Sequence, residues 1–190
     1  VAACGDSASD EITGATDLGV EASTQSVIAA EITTKSSVPN PSRKIGGDVG
    51  NLAPELGGIN AWINGGPYTM DQLRGQVALI DFWTYTCINC IRTYPFLKQW
   101  HSRYADHGLG IVGVHTPEFE FEKNHDNVLE ATQLNALKWV MAQDNDSITW
   151  RRYNNRFWPA KYLIDKDGVV RYTHWGEGGY AETEEMIRLL

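Results

Sequence analysis

The order of apolar runs along this chain predicts an α/β protein whose sheet is covered on both faces. Three observations lead there. Val77–Trp83, apolar except at Asp81, and Leu109–Val114 read as short buried strands. Between them, from Cys90 to about His107, apolar residues recur at helical spacing (Ile91, Tyr94, Leu97, Trp100, Tyr104) and the pattern stops at Gly108. Near the C-terminus, Asp167 and Gly168 join two further runs, Ala160–Asp165 and Val169–His174, as a hairpin turn would.

The remaining elements fill in around these. Ala61–Asn64 followed by Gly65, Gly66 and Pro67 reads as a short strand and turn. Asn124–Leu137 has a helical pattern, Trp139–Ala142 a short strand, Ser147–Tyr153 a helical turn, and Glu182–Leu190 a final helix that the sequence given truncates. Strands that alternate with helices and end in a hairpin and helix are the signature of this class.

The first 45 residues are different in kind. They are rich in Ser, Thr, Ala and Gly, and all seven Trp, eight Tyr and five Phe lie beyond them. Residues 1–40 hold six acids against one base, Lys35, a local charge of −5 that leaves −3 for the remaining 150 residues. Such a composition buries too little surface to offset the entropy lost on ordering. The expectation is a disordered acidic tether over 1–45, closed by Pro39 and Pro41, and one domain over 46–190. A net charge of −8 without a cluster of Lys or Arg argues against a nucleic-acid partner.

Chemistry concentrates at the cysteines. There are three, Cys4, Cys87 and Cys90, so a disulfide-stapled scaffold is excluded and a zinc site of two cysteine pairs lacks its second pair. Cys87 and Cys90 sit where a strand gives way to a helix. There, free amide N–H groups and the helix dipole stabilise a thiolate, and the thiolate is the reacting species. Cys87, first in the helix, is expected to attack a substrate disulfide, and Cys90, one turn inside, to resolve the mixed disulfide. A permanent disulfide across three residues would close a loop of little entropic benefit. No metal site is expected, and no cofactor beyond the redox-active disulfide itself.

Two other chemistries use the same residues. Thr84 and Cys87 match part of a Pro-x-x-x-Thr-x-x-Cys peroxidase pattern, with Ile80 where the proline belongs. A copper-handling module would pass a soft ion through the cysteine pair and His115, which otherwise reads as a hydrogen-bonded structural residue.

The segment from Asp81 to Cys90 (Asp-Phe-Trp-Thr-Tyr-Thr-Cys-Ile-Asn-Cys) resembles the active-site segment of the thioredoxin superfamily, and the resemblance extends over about residues 47–190. It implies a thioredoxin-like fold, a central mixed sheet flanked by helices, here with an N-terminal extension and a central insertion. Sixty-eight residues between Cys90 and Pro159 resemble the insertion of the TlpA-like branch, and Val114–Lys123 with Asn155–Asp165 resemble the thioredoxin-like domain of DipZ proteins. The function implied is a thiol-disulfide oxidoreductase that reduces protein disulfides outside the cytoplasm, served by a membrane thiol electron donor.

The same resemblance assigns further residues. Asp81 matches a carboxylate buried beneath the cysteines, with a raised pKa suited to accepting the Cys90 proton; the alternative is a strand-end carboxylate satisfied by backbone amides. No lysine partner for it is evident in Leu109–His115. Glu118 matches an active-site acid. Pro159 matches a cis-proline that faces the disulfide and leaves adjacent backbone free to pair with an extended peptide. Trp158 and Trp83 would wall the site as substrate-binding surface, with ordinary core packing the alternative for Trp83.

Val1–Gly5 resembles the end of a bacterial lipoprotein signal, which makes Cys4 a candidate lipid-attachment residue. With the tether it implies an extracytoplasmic address, in the periplasm or on the outer face of a cell membrane, anchored by lipid rather than by a span. No apolar run approaches the roughly 20 residues that a membrane-spanning helix requires.

Overall fold

The computed structural model describes residues 43–190. The expected tether and Cys4 lie outside the described residues, apart from the last few residues before 46. Six strands form one mixed sheet: β1 Ala61–Ile63, β2 Val77–Trp83, β3 Leu109–His115, β4 Val140–Gln143, β5 Ala160–Ile164 and β6 Val170–Trp175. Four helices accompany them: α1 Ile88–Tyr104, α2 His125–Leu134, α3 Ile148–Arg152 and α4 Tyr180–Leu189. The strand order is β1-β4-β3-β2-β5-β6. The three central strands β4, β3 and β2 run parallel, and β1, β5 and β6 pair antiparallel with their neighbours.

Side-chain alternation along β2 divides the interior into two cores. Leu79 and Trp83 face one side, together with Cys90, Tyr94, Leu97 and Trp100 of α1, Val128 of α2 and Ile187 of α4. Ala78, Ile80 and Phe82 face the other, against Leu56, Met70, Leu73 and Tyr153. All seven residues of β2 are buried, which explains a run that is apolar on both faces, since a parallel strand covered twice needs no polar face. Full burial of each Leu or Ile there contributes about 2 kcal/mol. Among the described residues, no helix is long and apolar enough to cross a membrane.

The observed ends differ from the expected ones for local reasons. α1 begins at Ile88 rather than Cys90 because Cys87 is its N-cap, with the Cys87 sulfur accepting a hydrogen bond from the Cys90 N–H. The helix continues past Pro95, which cannot donate to Ile91. α2 is capped by Asn124, whose side chain accepts from the Asp126 and Asn127 amides. α4 starts at Tyr180, after Gly179 at a φ of 60°. A 3-10 turn at Glu120–Lys123 has no apolar periodicity to announce it, since it carries an exposed Phe121 among charged residues.

Candidate active site

The site is assembled where β2 hands the chain to α1. Register places Asp81 of β2 opposite Lys161 of β5, and Phe82 opposite Ala160, so the residue before Ala160, Pro159, lies beside the end of β2. The Trp158–Pro159 peptide bond is cis, and Pro159 is buried. Trp158 is half-buried; its Nε1 donates to the Thr116 carbonyl at 3.0 Å and its ring lies 4.2 Å from that of Trp150. Loops following β2, β3 and preceding β5 therefore converge on one end of the sheet.

Cys87 and Cys90 are both free thiols, the first half-exposed and the second buried. The Cys87 sulfur accepts from the Cys90 amide at 3.3 Å. Its pKa falls to about 7: the bond from the Cys90 thiol lowers it most, partial burial opposes, the Cys90 and Asn89 amides lower it further, and the Glu118 charge pushes back. Cys90 moves the opposite way, pushed up by burial and by its bond to Cys87. The pair thus divides into a sulfur poised as thiolate near neutral pH and one that keeps its proton until something takes it.

Beneath them Asp81 Oδ1 lies 3.2 Å from Lys161 Nζ, with side-chain exposures of 2% and 1%. Burial pushes the Asp81 carboxyl up, and the Lys161 charge only partly offsets it. A carboxyl whose pKa burial has raised is better suited to accept a proton from a buried thiol than an ordinary one. The cation was not anticipated from the sequence. β3 holds no lysine; the partner comes from β5, where a lone Lys interrupts an otherwise apolar strand and shares the inward face with Leu163.

Glu118 lies in the loop after β3 and is exposed. A second acid of that loop, Glu122, was also missed, and it is fully buried. Its Oε1 accepts from the Thr86 hydroxyl at 2.5 Å, and its Oε2 from the amides of Glu118 at 2.6 Å and Phe119 at 3.0 Å. Burial pushes its carboxyl up, but these bonds, together with one from the Thr84 hydroxyl, outweigh it and hold the pKa below the usual value. Glu122 therefore ties the central insertion to the turn that delivers Cys87. No periodicity in the alternating Phe and Glu of this run distinguishes Glu122 from its exposed neighbours.

Trp83 and His115 each carried two readings, and burial places both in the interior. Trp83 is not a wall of the site: it is 1% exposed, packed edge-on to Tyr94 and His115, and its indole fills the space left by Gly113. A side chain at Gly113 would collide with Met141 Sδ and crowd Trp83 Nε1. His115 is fully buried, stacked on Tyr85, with Nε2 3.3 Å from Thr84 Oγ1. That contact engages both the Thr84 hydroxyl of the peroxidase pattern and the imidazole of the copper reading.

A mixed sheet bearing a buried–exposed dithiol at a helix N-cap, with a buried carboxylate under it and a cis-proline beside it, defines a thiol-disulfide oxidoreductase of thioredoxin-like fold. The chain belongs to the AhpC/TSA family, whose family model matches residues 49–173. It is 47% identical over 141 residues to Protein DipZ of Mycobacterium tuberculosis, covering 73% of this chain and 20% of DipZ. The chain thus spans about a fifth of the length of that relative. Thiol-disulfide oxidoreductase YkuV of Bacillus subtilis is 30% identical over 135 residues, which cover 70% of this chain and 90% of YkuV. The solution structure of a thioredoxin-like protein in the oxidised form matches with a TM-score of 0.66 and 29% identity, over 73% of this chain and 93% of that one.

Proposed function

We propose that the chain reduces protein disulfides outside the cytoplasm, with Cys87 as nucleophile and Cys90 as resolving thiol. One observation supports this direction above others: the Cys87 pKa of about 7. A strongly oxidising couple owes its power to a thiolate stabilised far more, with a pKa of about 3.5, whereas reducing thioredoxins lie near about 7.

The Cys87 thiolate attacks one sulfur of the substrate disulfide; a mixed disulfide forms and the other substrate sulfur leaves as a thiolate. Cys90 passes its proton to Asp81 and attacks the Cys87 sulfur. The second substrate thiolate leaves, and a Cys87–Cys90 disulfide remains. Two electrons from a membrane thiol donor restore the dithiol. The substrate is an extended polypeptide that pairs with the backbone before Pro159 and rests on Trp158. Glu118, near Cys87, acts as an acid that restrains thiolate formation. Cys4, within Ala2-Ala3-Cys4-Gly5, serves as the lipid attachment, with the acidic segment as tether. A disulfide reductase has work where disulfides persist, which is outside the cytoplasm.

The test is the reduction potential of the Cys87–Cys90 couple, measured in glutathione buffers. A value of about −270 mV agrees with a reductant, and one of about −120 mV would overturn the direction proposed.

A further inference from the structure

Tyr94 is 4% exposed, and its hydroxyl is buried without a hydrogen-bond partner. A buried, unpartnered hydroxyl costs about 1–3 kcal/mol, so its retention calls for a physical reason. Its position supplies one. Tyr94 follows Cys90 by four residues in α1, which stacks the two on the same helix face. That face packs on the side of the sheet reached by the odd-numbered residues of β2 and β5, among them Leu79, Trp83 and Leu163. Asp81 and Lys161 belong to the same alternation. The Tyr94 ring lies 6.0 Å from the ring of Trp83, two residues beyond Asp81 on that face, at 80°.

Two further polar atoms there, Asp81 Oδ1 and Lys161 Nζ, are also buried without a hydrogen bond, although 3.2 Å apart as an ion pair. Three under-satisfied polar groups therefore share the face of the sheet on which Cys90 packs. The titratable groups on this face include Cys87 at the α1 N-cap, Cys90 of α1, Asp81 of β2 and Lys161 of β5, with His115 of β3 beyond Trp83 and Tyr85, Tyr104, Tyr172 and Tyr180 packed at the edge of the core. Burial, and then the charges of Cys90, Asp81 and Cys87, push the Tyr94 phenol up, so it keeps its proton and acts as a donor.

We infer that the Tyr94 hydroxyl is a positioning donor for the resolving step, stabilising the negative charge shared by Cys90 and Asp81 as the thiol proton moves between them. The inference rests on the proton route from Cys90 to Asp81 proposed above. In the step itself the Cys90 S–H bond breaks and its proton goes to the Asp81 carboxylate. The new Cys90–Cys87 bond forms as the Cys87–substrate bond breaks, with the substrate sulfur leaving as a thiolate. Tyr94 is neither oxidised nor deprotonated.

Tyr94→Phe removes only the hydroxyl. The reduced protein is mixed in stopped flow with an equimolar amount of 5,5′-dithiobis(2-nitrobenzoate), which releases one coloured thiolate when Cys87 attacks and a second when Cys90 resolves. The expected result is an unchanged first phase and a second phase slowed about tenfold, a loss typical of a hydrogen bond to a charged group. The second phase should also need a higher pH. Asp81→Asn is run beside it. If Asp81→Asn slows the second phase and Tyr94→Phe leaves its rate and pH profile intact, with thermal stability raised by removal of the orphaned hydroxyl, the role given to Tyr94 is wrong. If Asp81→Asn leaves the second phase intact, the proton route itself is wrong, and the Tyr94 inference falls with it.

Discussion

Asp81 and Lys161, 3.2 Å apart and almost wholly excluded from solvent, form an ion pair across the β2–β5 ladder directly under the cysteine pair. Lys161 stands two residues after Pro159, so the counter-charge of Asp81 sits on the strand that the cis-proline leads into. Breaking such a pair by removing one partner leaves an uncompensated charge in the core, which typically costs about 3–5 kcal/mol unless the survivor neutralises. In Lys161→Met, Asp81 is expected to neutralise, since burial already pushes its pKa up and Lys161 provides the opposing attraction. A protonated Asp81 cannot accept from Cys90. The resolving phase should therefore slow by about tenfold or more at neutral pH while Cys87 alkylation is unaffected; two-phase thiol kinetics and denaturant unfolding measure both.

Alkylation of the reduced protein by iodoacetamide should rise with pH around a midpoint near the Cys87 value of about 7. Cys90→Ala removes the thiol that lowers that value most, so the midpoint should move up. Glu118→Gln removes an opposing charge and should move it down. Opposite shifts in the two variants, read from rate against pH, distinguish these influences from a general change in accessibility.

His115 is buried and its pKa is pushed down to about 4, against about 6.5 unfolded. The unfolded chain therefore binds more protons between those values. His115 contributes stability that is fully present above about pH 6.5 and is lost as pH falls towards about 4, a change of about 3 kcal/mol. Urea unfolding from pH 7 to pH 4 should show that decline, and His115→Gln should flatten it.

Glu122 is expected to matter through the turn it holds. Glu122→Ala leaves the Thr86 hydroxyl and the Glu118 and Phe119 amides without their acceptor, and should cost about 2–4 kcal/mol by chemical denaturation. Glu122→Gln retains one oxygen and should cost less. In the Ala variant, Glu118 and Thr86 lose their common support, so the pH midpoint of Cys87 alkylation should shift as well.

The strands and helices were legible in the sequence because their apolar spacing is regular. The cysteine pair was legible because its place at a strand-to-helix junction has a physical meaning. Lys161 was not, because a long-range partner is defined by register between β2 and β5, which periodicity along one segment does not encode. Glu122 was not, because in a run of alternating Phe and Glu every acid looks solvated until the turn folds one of them inward. Trp83 carried two readings in sequence, and its burial against the ring of Tyr94 in the core that also holds Leu79 resolves it as core.

In the proposed reaction Cys87 forms the covalent link to substrate and Cys90 releases it. The division of labour is read from the mass of the covalent complex formed when Cys90→Ser is mixed with a disulfide-bonded model protein that the unmodified chain reduces. The expected product is a one-to-one mixed disulfide through Cys87 that persists until an external thiol is added. No complex under those conditions, or one that still forms in the Cys87→Ser, Cys90→Ser double variant, would contradict it.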